Sequence, residues 1–340
     1  EVVIVISNDD YHTIYFDPPL SYTHRSEIVI IEGRVIDLRC QVGLLTRNFK
    51  IQGDEKSDSQ LFGSHMMAMS GIFKIENVEI TRCGQAFNLG RYCSHSHHGG
   101  NFEGNYVKAN SIHHSYQRAC TTHDTSYWEV RDNVAYDIMG HAYFVEDGDE
   151  YYNTISGNLG IRIKTSSALL VSDTKPAVFW TANPNNFWYD NVGVHSHSFG
   201  FWFELPGTPP NVPGICCSAE HLGEFRNNTF RANGVLGLRI YPIWLPLTEP
   251  CNSSSPPAPQ YLQKMLSYRN GGNGMFSKRH GDLHHIGHTF LENGGHDISI
   301  VHYLSVPYTL DPTFKDILFV ASLDPNFNEN TNLGKFAIFA

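Results

Sequence analysis

The 340-residue sequence lacks long hydrophobic runs and is poor in charged residues. It contains no stretch of 18 uninterrupted apolar residues, so no membrane span is expected within this chain. Charged residues make up 17% and hydrophobic residues 41%, a balance that excludes a disordered tail. The formal net charge of -10 argues against a nucleic-acid or anionic-membrane partner.

Several sequence motifs are also missing. The seven cysteines form no CxxC pair, which disfavours a zinc ribbon. His280 and His284 have helical spacing, but no Glu occupies the HExxH position, which disfavours a zincin. No phosphate loop, Rossmann fingerprint or nucleophile elbow occurs. No sustained 3.6-residue apolar period predicts long helices.

A repeated phrase is present instead: Asn, an alternating apolar run, Gly, and a second alternating apolar run. Clear copies begin at Asn77, Asn133, Asn191 and Asn228, with looser copies at Asn110 and near Thr289. A strand unit this small cannot bury its own apolar face, so it must stack on its neighbours. The sequence therefore predicts an all-β fold, a right-handed parallel β-helix.

The Asn positions predict a ladder of stacked side chains. Asn110 and Asn133 are 23 residues apart, close to one coil of such a solenoid. Asn tolerates left-handed backbone angles at turns and can hydrogen-bond backbone groups.

Three regions are expected along the chain. Residues 1–60 are predicted to be strands leading into the solenoid, 61–305 the β-helix, and 306–340 a terminal coil, cap or linker. Within the β-helix, 205–222 and 242–260 are too rich in Pro for interior strands and are predicted to be loops.

Cysteines and glycosylation triplets favour an extracellular setting. Cys216 or Cys217 could pair with Cys251, because all three lie in Pro-rich, loop-like surroundings. Asn227 and Asn252 begin the N-glycosylation triplets. The chain begins with Glu1 rather than Met, and is expected to be a processed or excerpted segment.

Aligning the coils on the strand after each Gly predicts a polar cluster. His97, His123, Glu146 and Glu204 then fall near the same strand end of different coils. Because coils stack about 4.8 Å apart, such side chains can touch. His and carboxylate groups together can bind a metal or act as general acid and base on a sugar bond. The alternative is a structural ladder of stacked His rings.

Metal binding has two candidate arrangements. Calcium would prefer Glu146, Asp147 and Asp149 together with backbone oxygens. The tripeptide His95-Ser96-His97 places two imidazoles on one strand face, but a third zinc ligand is not identified. A hydrogen-bonded pair is the alternative there, as it is for the second such tripeptide at 195–197.

Aromatic residues crowd one region. Trp180, Trp188 and Trp202, with Glu204 beside them, could form a platform on which sugar rings stack. The alternative is that the indole rings fill the core, as large aromatic side chains usually do.

Longer motifs carry a resemblance to a known family. The runs that carry it are 42–48, 111–115, 139–148, 179–186, 199–204 and 281–285. With these runs the chain resembles the extracellular family that pairs a G8 domain with parallel β-helix repeats, which includes the fibrocystins and the transmembrane protein 2-type hyaluronidases. Residues 1–40 look like the tail of a G8 domain at most. Where the family often has Tyr-Pro-Ile-His-Phe-His, this chain has Tyr-Cys-Ser-His-Ser-His at 92–97.

The resemblance implies two candidate functions. The first is a non-catalytic extracellular module for glycan contact, adhesion or a structural coat, with glycans or another extracellular protein as partner. The second is a calcium-dependent hyaluronidase-like depolymerase, with Glu146 or Asp147 as acid or base and His97 and His123 as partners. No cofactor is certain, although calcium fits the second function. Self-assembly through an uncapped solenoid end is a further expectation.

Overall fold

The computed structural model describes residues 1–10, 13–24, 26–168, 170–210, 212–301, 312–323 and 337–339. They divide into two compact units, 1–43 and 44–340. The first unit contains two antiparallel hairpins. Their strands are Ile4–Asp10 with Thr13–Asp17, and Ile28–Ile31 with Arg34–Asp37.

The second unit is a right-handed parallel β-helix, as the repeats predict. Each full coil contributes one short strand to each of three parallel sheets, in the order first, second, third sheet. Strands that are adjacent within a sheet come from successive coils, so an apolar side chain in one coil packs on its counterpart in the next.

The strands of the first sheet are short and evenly repeated. They are Lys74–Glu76, Tyr106–Lys108, Glu129–Arg131, Thr154–Ser156, Phe187–Tyr189, Glu224–Arg226, Gln260–Gln263, Leu283–Ile286 and Thr313–Lys315. The strands of the second sheet are Phe49–Gln52, Val78–Cys83, Ser111–Ser115, Val134–Met139, Leu159–Lys164, Val192–Ser196, Thr229–Arg231, Leu266–Tyr268, Thr289–Leu291 and Leu318–Val320.

The third sheet carries the candidate site. Its strands are Met66–Ala68, Ser94–Asn101, Cys120–Ser126, Tyr143–Val145, Ala177–Thr181, Phe199–Phe203, Leu236–Ile240, Met275–Lys278, Ile298–Val301 and Ala337–Phe339. Helical structure among the described residues is limited to an α-helical turn at Ser57–Gln60 and 3₁₀ turns at Val171–Thr174 and Cys217–Ala219. No helix in the described part of the chain is long and apolar enough to cross a membrane.

The core is a stack of inward side chains. In the third sheet, Tyr143, Phe179, Phe201 and Leu238 occupy matching positions on successive coils and are at most 1% exposed. The Tyr143 and Phe179 rings stack with centroids 5.1 Å apart. Burying each such side chain contributes about 1.5–3 kcal/mol, so the stack stabilises neighbouring coils against each other.

The predicted asparagine ladder is confirmed between the first and second sheets. Its buried members are Asn110, Asn133, Asn158, Asn191 and Asn228. The Asn133 Oδ1 atom accepts hydrogen bonds from the backbone N and the Nδ2 of Asn110, at 3.0 and 3.1 Å. The same pattern continues from coil to coil.

The placement of Asn77 in this ladder is wrong by one residue. Asn77 has φ of 56°, like Asp132 (57°) and Asp190 (58°), which immediately precede ladder asparagines. Val78 occupies the ladder position in that coil, and its backbone N donates to Asn110 Oδ1 at 2.8 Å. The left-handed residue and the hydrogen-bonding Asn are therefore neighbours rather than one residue.

Region boundaries differ from those expected. The solenoid ladder begins at Phe49–Gln52, which pairs with Val78–Cys83, so it starts before the expected boundary at residue 61. Strands in the 306–340 region pair with the preceding coil at Thr313–Lys315, Leu318–Val320 and Ala337–Phe339. Residues 306–311, 324–336 and 340 of that region lie outside the described residues. The Pro-rich stretches 205–222 and 242–260 connect third-sheet strands to first-sheet strands, as predicted for loops.

Two disulfides join described residues. Cys216 pairs with Cys251, which selects one of the two predicted alternatives. Cys217 is a buried free thiol whose Sγ lies 3.2 Å from the Gly148 carbonyl oxygen. The Cys83–Cys93 disulfide was not predicted, although only ten positions separate the two residues.

Candidate functional site

The predicted alignment of polar residues on the third sheet is confirmed for its first three members. His97 pairs directly with His123 on the next coil. Thr122 pairs with Val145, so Glu146 follows at the level of His123. Glu204 lies in register with Glu146 on the third sheet, but two coils further along the solenoid. Because coils stack about 4.8 Å apart, the backbones of the two residues are about 10 Å apart. The structure does not bring Glu204 to the histidines.

His95 is fixed by a backbone carbonyl and fully buried. It is 1% exposed, and its Nδ1 donates to the Gly90 carbonyl oxygen at 2.8 Å. Burial lowers the pKa of His95 to about 3, so the ring is neutral. With the proton on Nδ1, the Nε2 atom carries a lone pair, and no described residue bonds to it.

His97 and His123 contact each other through matching nitrogens. Their Nδ1 atoms are 2.9 Å apart. His123 Nε2 lies 3.1 Å from Asp147 Oδ2. Although burial opposes it, the hydrogen bond to Asp147 and the charge of Glu146 raise the pKa of His123 to about 9. Burial and the charge of His123 lower the pKa of His97, so in this arrangement His123 donates and His97 accepts.

The three histidines converge. One ring nitrogen from each of His95, His97 and His123 lies within 4.8 Å of the other two. The strand register predicted His97 beside His123, and the tripeptide at 95–97 predicted His95 beside His97, but the three were not predicted as one group. His123 lies on the next coil, 26 residues beyond His97, and combining the two patterns was the signal that could have found the group.

Glu146 is held by an arginine and a tyrosine. Its Oε1 accepts from Tyr92 Oη at 3.2 Å and lies 3.6 Å from Arg118 Nη1. No described residue bonds to its Oε2 atom. Burial raises the pKa of Glu146 even though Arg118 and His123 oppose the shift, so protonation of this carboxyl is favoured.

Arg118 anchors a buried network behind Glu146. The guanidinium is 0% exposed, donates to Asp173 Oδ2 at 2.9 Å and lies 3.6 Å from the Phe144 ring centroid. His141 belongs to this network rather than to the three histidines, because its Nδ1 accepts from the Ala177 backbone N and its ring stacks on Phe144.

The carboxylates proposed for calcium are arranged around a buried glutamate. Glu150 accepts from the backbone N of Asp124, Asp147 and Gly148. Burial and the charge of Asp149 raise the pKa of Glu150 to about 8. Among the described residues, the group whose ligand atoms converge is the three histidines and not Glu146, Asp147 and Asp149. Calcium binding by Glu146, Asp147 and Asp149 stays a prediction. The three converging histidines do not suit calcium, because imidazole nitrogens are poor ligands for that ion.

Of the two alternatives for the tryptophans, the structure has the second: all three indole rings are buried. Trp188 is 0% exposed and packs in the core, while Trp180 and Trp202 are each 7% exposed. Trp180 stacks on Phe144 with ring centroids 4.1 Å apart, so coil-to-coil stacking uses the face that a sugar would need. Beside them, burial raises the pKa of Glu204 against the charge of Arg239.

Among the histidines that the structure describes, no other group converges as these three do. His195 is exposed on the second sheet, and His197 contacts Ser198. His285 and His288 contact each other inside the solenoid at 3.2 Å. Two surface pockets, one around Leu222 and the other around Ala86, include no residue of the third-sheet cluster.

The surface sites predicted from triplets are accessible. Asn227 and Asn252 are both exposed, and their Nδ2 atoms donate to Asp190 and Glu249. Glycosylation itself stays a prediction.

Fold and site together define a parallel β-helix with a polar cluster on the outer face of one sheet. The CEMIP beta-helix family matches residues 61–238, just over half of the chain, and the chain belongs to that family.

Mouse fibrocystin-L is 34% identical over 78% of this chain and 8% of its own length. Human cell surface hyaluronidase CEMIP2 is 32% identical over 64% of this chain and 19% of its own length. The mouse cell migration-inducing and hyaluronan-binding protein is 31% identical over 60% of this chain and 19% of its own length.

The chain therefore spans under a fifth of the length of these relatives. The predicted resemblance to fibrocystins and hyaluronidases is confirmed. The extracellular assignment is also confirmed, because cell-surface relatives and two disulfides agree with it.

Proposed function

We propose that this chain is a glycan-contacting module of an extracellular protein and that it binds without cleaving. The contact surface is the outer face of the third sheet around His97, His123 and Glu146. The observation that carries the proposal is a pair of unpartnered polar atoms two coils apart on the same sheet, His95 Nε2 and Glu146 Oε2, for which no described residue is a partner. Such buried atoms are rare and cost free energy, which favours a polar ligand.

A carbohydrate suits these atoms. Sugar hydroxyl groups donate and accept, so one ring can donate to His95 Nε2 and also bond to the carboxyl group of Glu146. His123, with its raised pKa, supplies a positive charge on a chain of net charge -10. One relative is named as hyaluronan-binding, so hyaluronan, an acidic glycan, is the first ligand to test.

Pairing of the neighbouring carboxylates supports binding without cleavage. Glycoside hydrolysis commonly uses two carboxyl groups, one on each side of the scissile bond. Asp147 is paired with His123, and Asp124 is paired with His98 at 2.8 Å. Both carboxylates are therefore held by histidines, which leaves them less available as a partner for Glu146.

A depolymerase is the second candidate, and one observation favours it. Burial raises the pKa of Glu146 above that of a free glutamate, which is the direction expected for a carboxylic acid that protonates a glycosidic oxygen. Fibrocystin-L and the hyaluronidases resemble the chain at similar identity, so these comparisons do not choose between the two candidates.

Binding is tested with the secreted chain and immobilised hyaluronan, chondroitin sulfate and a neutral glycan. We expect saturable binding that Glu146→Gln weakens about tenfold, because one buried polar contact is altered. The matched control is Glu129→Gln, since Glu129 lies on the same coil but on the first sheet, paired with Arg131. Absence of binding to all three glycans would reject the proposal.

Cleavage is tested by following hyaluronan size by light scattering, with calcium and with chelator. Unchanged size together with binding supports the non-catalytic function. Shortening that Glu146→Gln abolishes and Glu129→Gln preserves would replace it with the depolymerase.

A further inference from the structure

We propose that His95, His97 and His123 form a three-histidine site for a divalent transition metal ion such as zinc. The metal site and the proposed glycan contact both use His95 Nε2, so a metal ion and a glycan would compete for that atom, and the metal titration below is done without glycan to test the site by itself. Its geometric basis is the convergence of three ring nitrogens within 4.8 Å, from two adjacent strands of the third sheet.

The His95 ring is held in the way that is usual for a metal-binding histidine. Its Nδ1–H donates to the Gly90 carbonyl oxygen at 2.8 Å, which fixes the ring and leaves the Nε2 lone pair directed away from that carbonyl. Metal-bound histidines usually donate their other ring nitrogen to a backbone carbonyl or a carboxylate. The residue is 1% exposed, and its Nε2 has no partner among the described residues, so the atom is buried and unused.

His123 has the second common arrangement. Its Nε2 lies 3.1 Å from Asp147 Oδ2, which leaves Nδ1 facing His97. The two Nδ1 atoms are 2.9 Å apart. Two nitrogens bound to one tetrahedral zinc ion at about 2.0–2.1 Å lie about 3.3 Å apart, so a small opening of this pair would admit the ion.

The donor set favours a transition metal. Imidazole nitrogen suits zinc, copper, nickel and cobalt, whereas calcium requires oxygen ligands. Three protein ligands leave one position of a tetrahedral ion open. The His123 side chain retains 18% exposure and His97 is half-buried, so solvent can reach the open position.

A structural stack of histidines is the competing explanation. In a stack, each ring nitrogen finds a partner on a neighbouring coil, as His288 Nδ1 does when it accepts from the Met265 backbone N at 2.9 Å. The unpartnered His95 Nε2 does not fit that pattern. The tripeptide at 195–197 provides an internal comparison, because it has the same sequence as 95–97 but no converging third histidine among the described residues.

The test uses the full chain, secreted without a histidine tag and stripped with chelator. Cobalt(II) is titrated while the visible absorption spectrum is recorded, and zinc is then added as competitor. We expect about one equivalent to bind with the intense visible bands of a four-coordinate ion, and zinc to remove those bands. A folded wild-type chain without these bands would overturn the proposal.

Variants identify the ligands. His97→Ala and His123→Ala are each expected to lose the cobalt bands, whereas the control His195→Asn keeps them, because Asn tolerates the φ of 55° at that position. Circular dichroism checks that each variant is folded, and zinc should raise the melting temperature of the wild type but not of His123→Ala. Bands that persist in both cluster variants would equally overturn the proposal.

Discussion

Arg118 carries a charge that is completely removed from solvent, and its partners hold it in place. Asp173 accepts two of its hydrogen bonds, at 2.9 and 3.3 Å, and is itself 0% exposed. Gly140, with φ of +79°, lies so close that an added Cβ would be 2.6 Å from Asp173 Oδ1. The network therefore constrains both the backbone and the arginine behind Glu146.

Asp173→Ala should destabilise the chain strongly. It leaves Arg118 buried without its main counter-charge, which typically costs about 3–5 kcal/mol in unfolding free energy. Urea unfolding followed by tryptophan fluorescence measures the loss. The control Asp190→Asn removes the charge of an exposed pair with Arg226 at 3.3 Å, tolerates the φ of 58° at that position, and should cost about 0–1 kcal/mol. Equal losses of unfolding free energy in the two variants would show that the buried Arg118–Asp173 pair stabilises the chain no more than an exposed pair does.

His288 should make stability depend on pH. It is fully buried, and burial lowers its pKa from 6.5 to about 3. The unfolded chain therefore binds the proton first, so stability present above pH 6.5 is lost as pH falls from 6.5 toward 3. The expected slope is about 1.4 kcal/mol per pH unit for this one group.

His288→Asn tests that dependence with little other change. His288 Nδ1 accepts from the Met265 backbone N at 2.9 Å, the same role that asparagines play on earlier coils, so Asn can replace it. Urea unfolding at pH 7, 6 and 5 should show a shallower loss for this variant than for the wild type. The exposed-site variant His195→Asn should keep the wild-type slope, and an unchanged slope in His288→Asn would contradict the assignment.

At the scale of elements, the asparagine ladder supplies hydrogen bonds that the strands cannot make at their corners. Asn191→Ala should remove the Oδ1 acceptor used by the backbone N and the Nδ2 of Asn158, at 3.1 and 3.2 Å. Leaving these buried donors unpaired should lower the unfolding free energy by about 2–4 kcal/mol. Asn101→Ala is the control, because Asn101 is exposed at a strand end. Similar losses in a urea titration would show that the ladder is dispensable.

Much of the coil structure follows from the sequence, because one strand phrase recurs with its Asn and Gly. For that reason the sequence predicts the asparagine ladder from Asn110 onward. It also predicts the alignment of His97, His123 and Glu146 on successive coils. Asn77 was misplaced because the left-handed residue also favours Asn, and the repeat alone does not distinguish neighbouring positions.

Side-chain surroundings were less predictable than register. The sequence left exposure and burial open for Trp180 and Trp202, and both are buried. Phe144 stacks on Trp180, and the Arg239 guanidinium lies 4.2 Å from the Trp202 ring centroid. The convergence of His95 with His97 and His123 was not predicted, because the orientation of the His95 ring depends on its hydrogen bond to the Gly90 carbonyl. Such contacts depend on loops of unequal length, and no repeat pattern encodes them.

At the scale of the whole molecule, the two compact units differ in construction. Residues 1–43 contain the antiparallel hairpins, with apolar side chains such as Ile4 and Ile30 each 72% exposed. The described solenoid strands all lie within 44–340. Because each coil of a solenoid packs only on its neighbours, its stability depends on an unbroken stack of coils.

A chain that begins at Leu44 should therefore keep the wild-type strand spectrum and unfold cooperatively within a few degrees of the wild-type melting temperature. A chain that begins at Val78 is the contrasting variant. It loses the strands Phe49–Gln52, Met66–Ala68 and Lys74–Glu76, and with them the Lys50–Glu79 ion pair at 2.7 Å and the strand that pairs with Ser94–Asn101. The newly exposed coil edge should lower its melting temperature and promote association, since an unpaired parallel strand is a template for another chain. Circular dichroism melts and light scattering of the two truncations measure both effects. Unfolding of the chain from Leu44 would show that the coils depend on the hairpin unit.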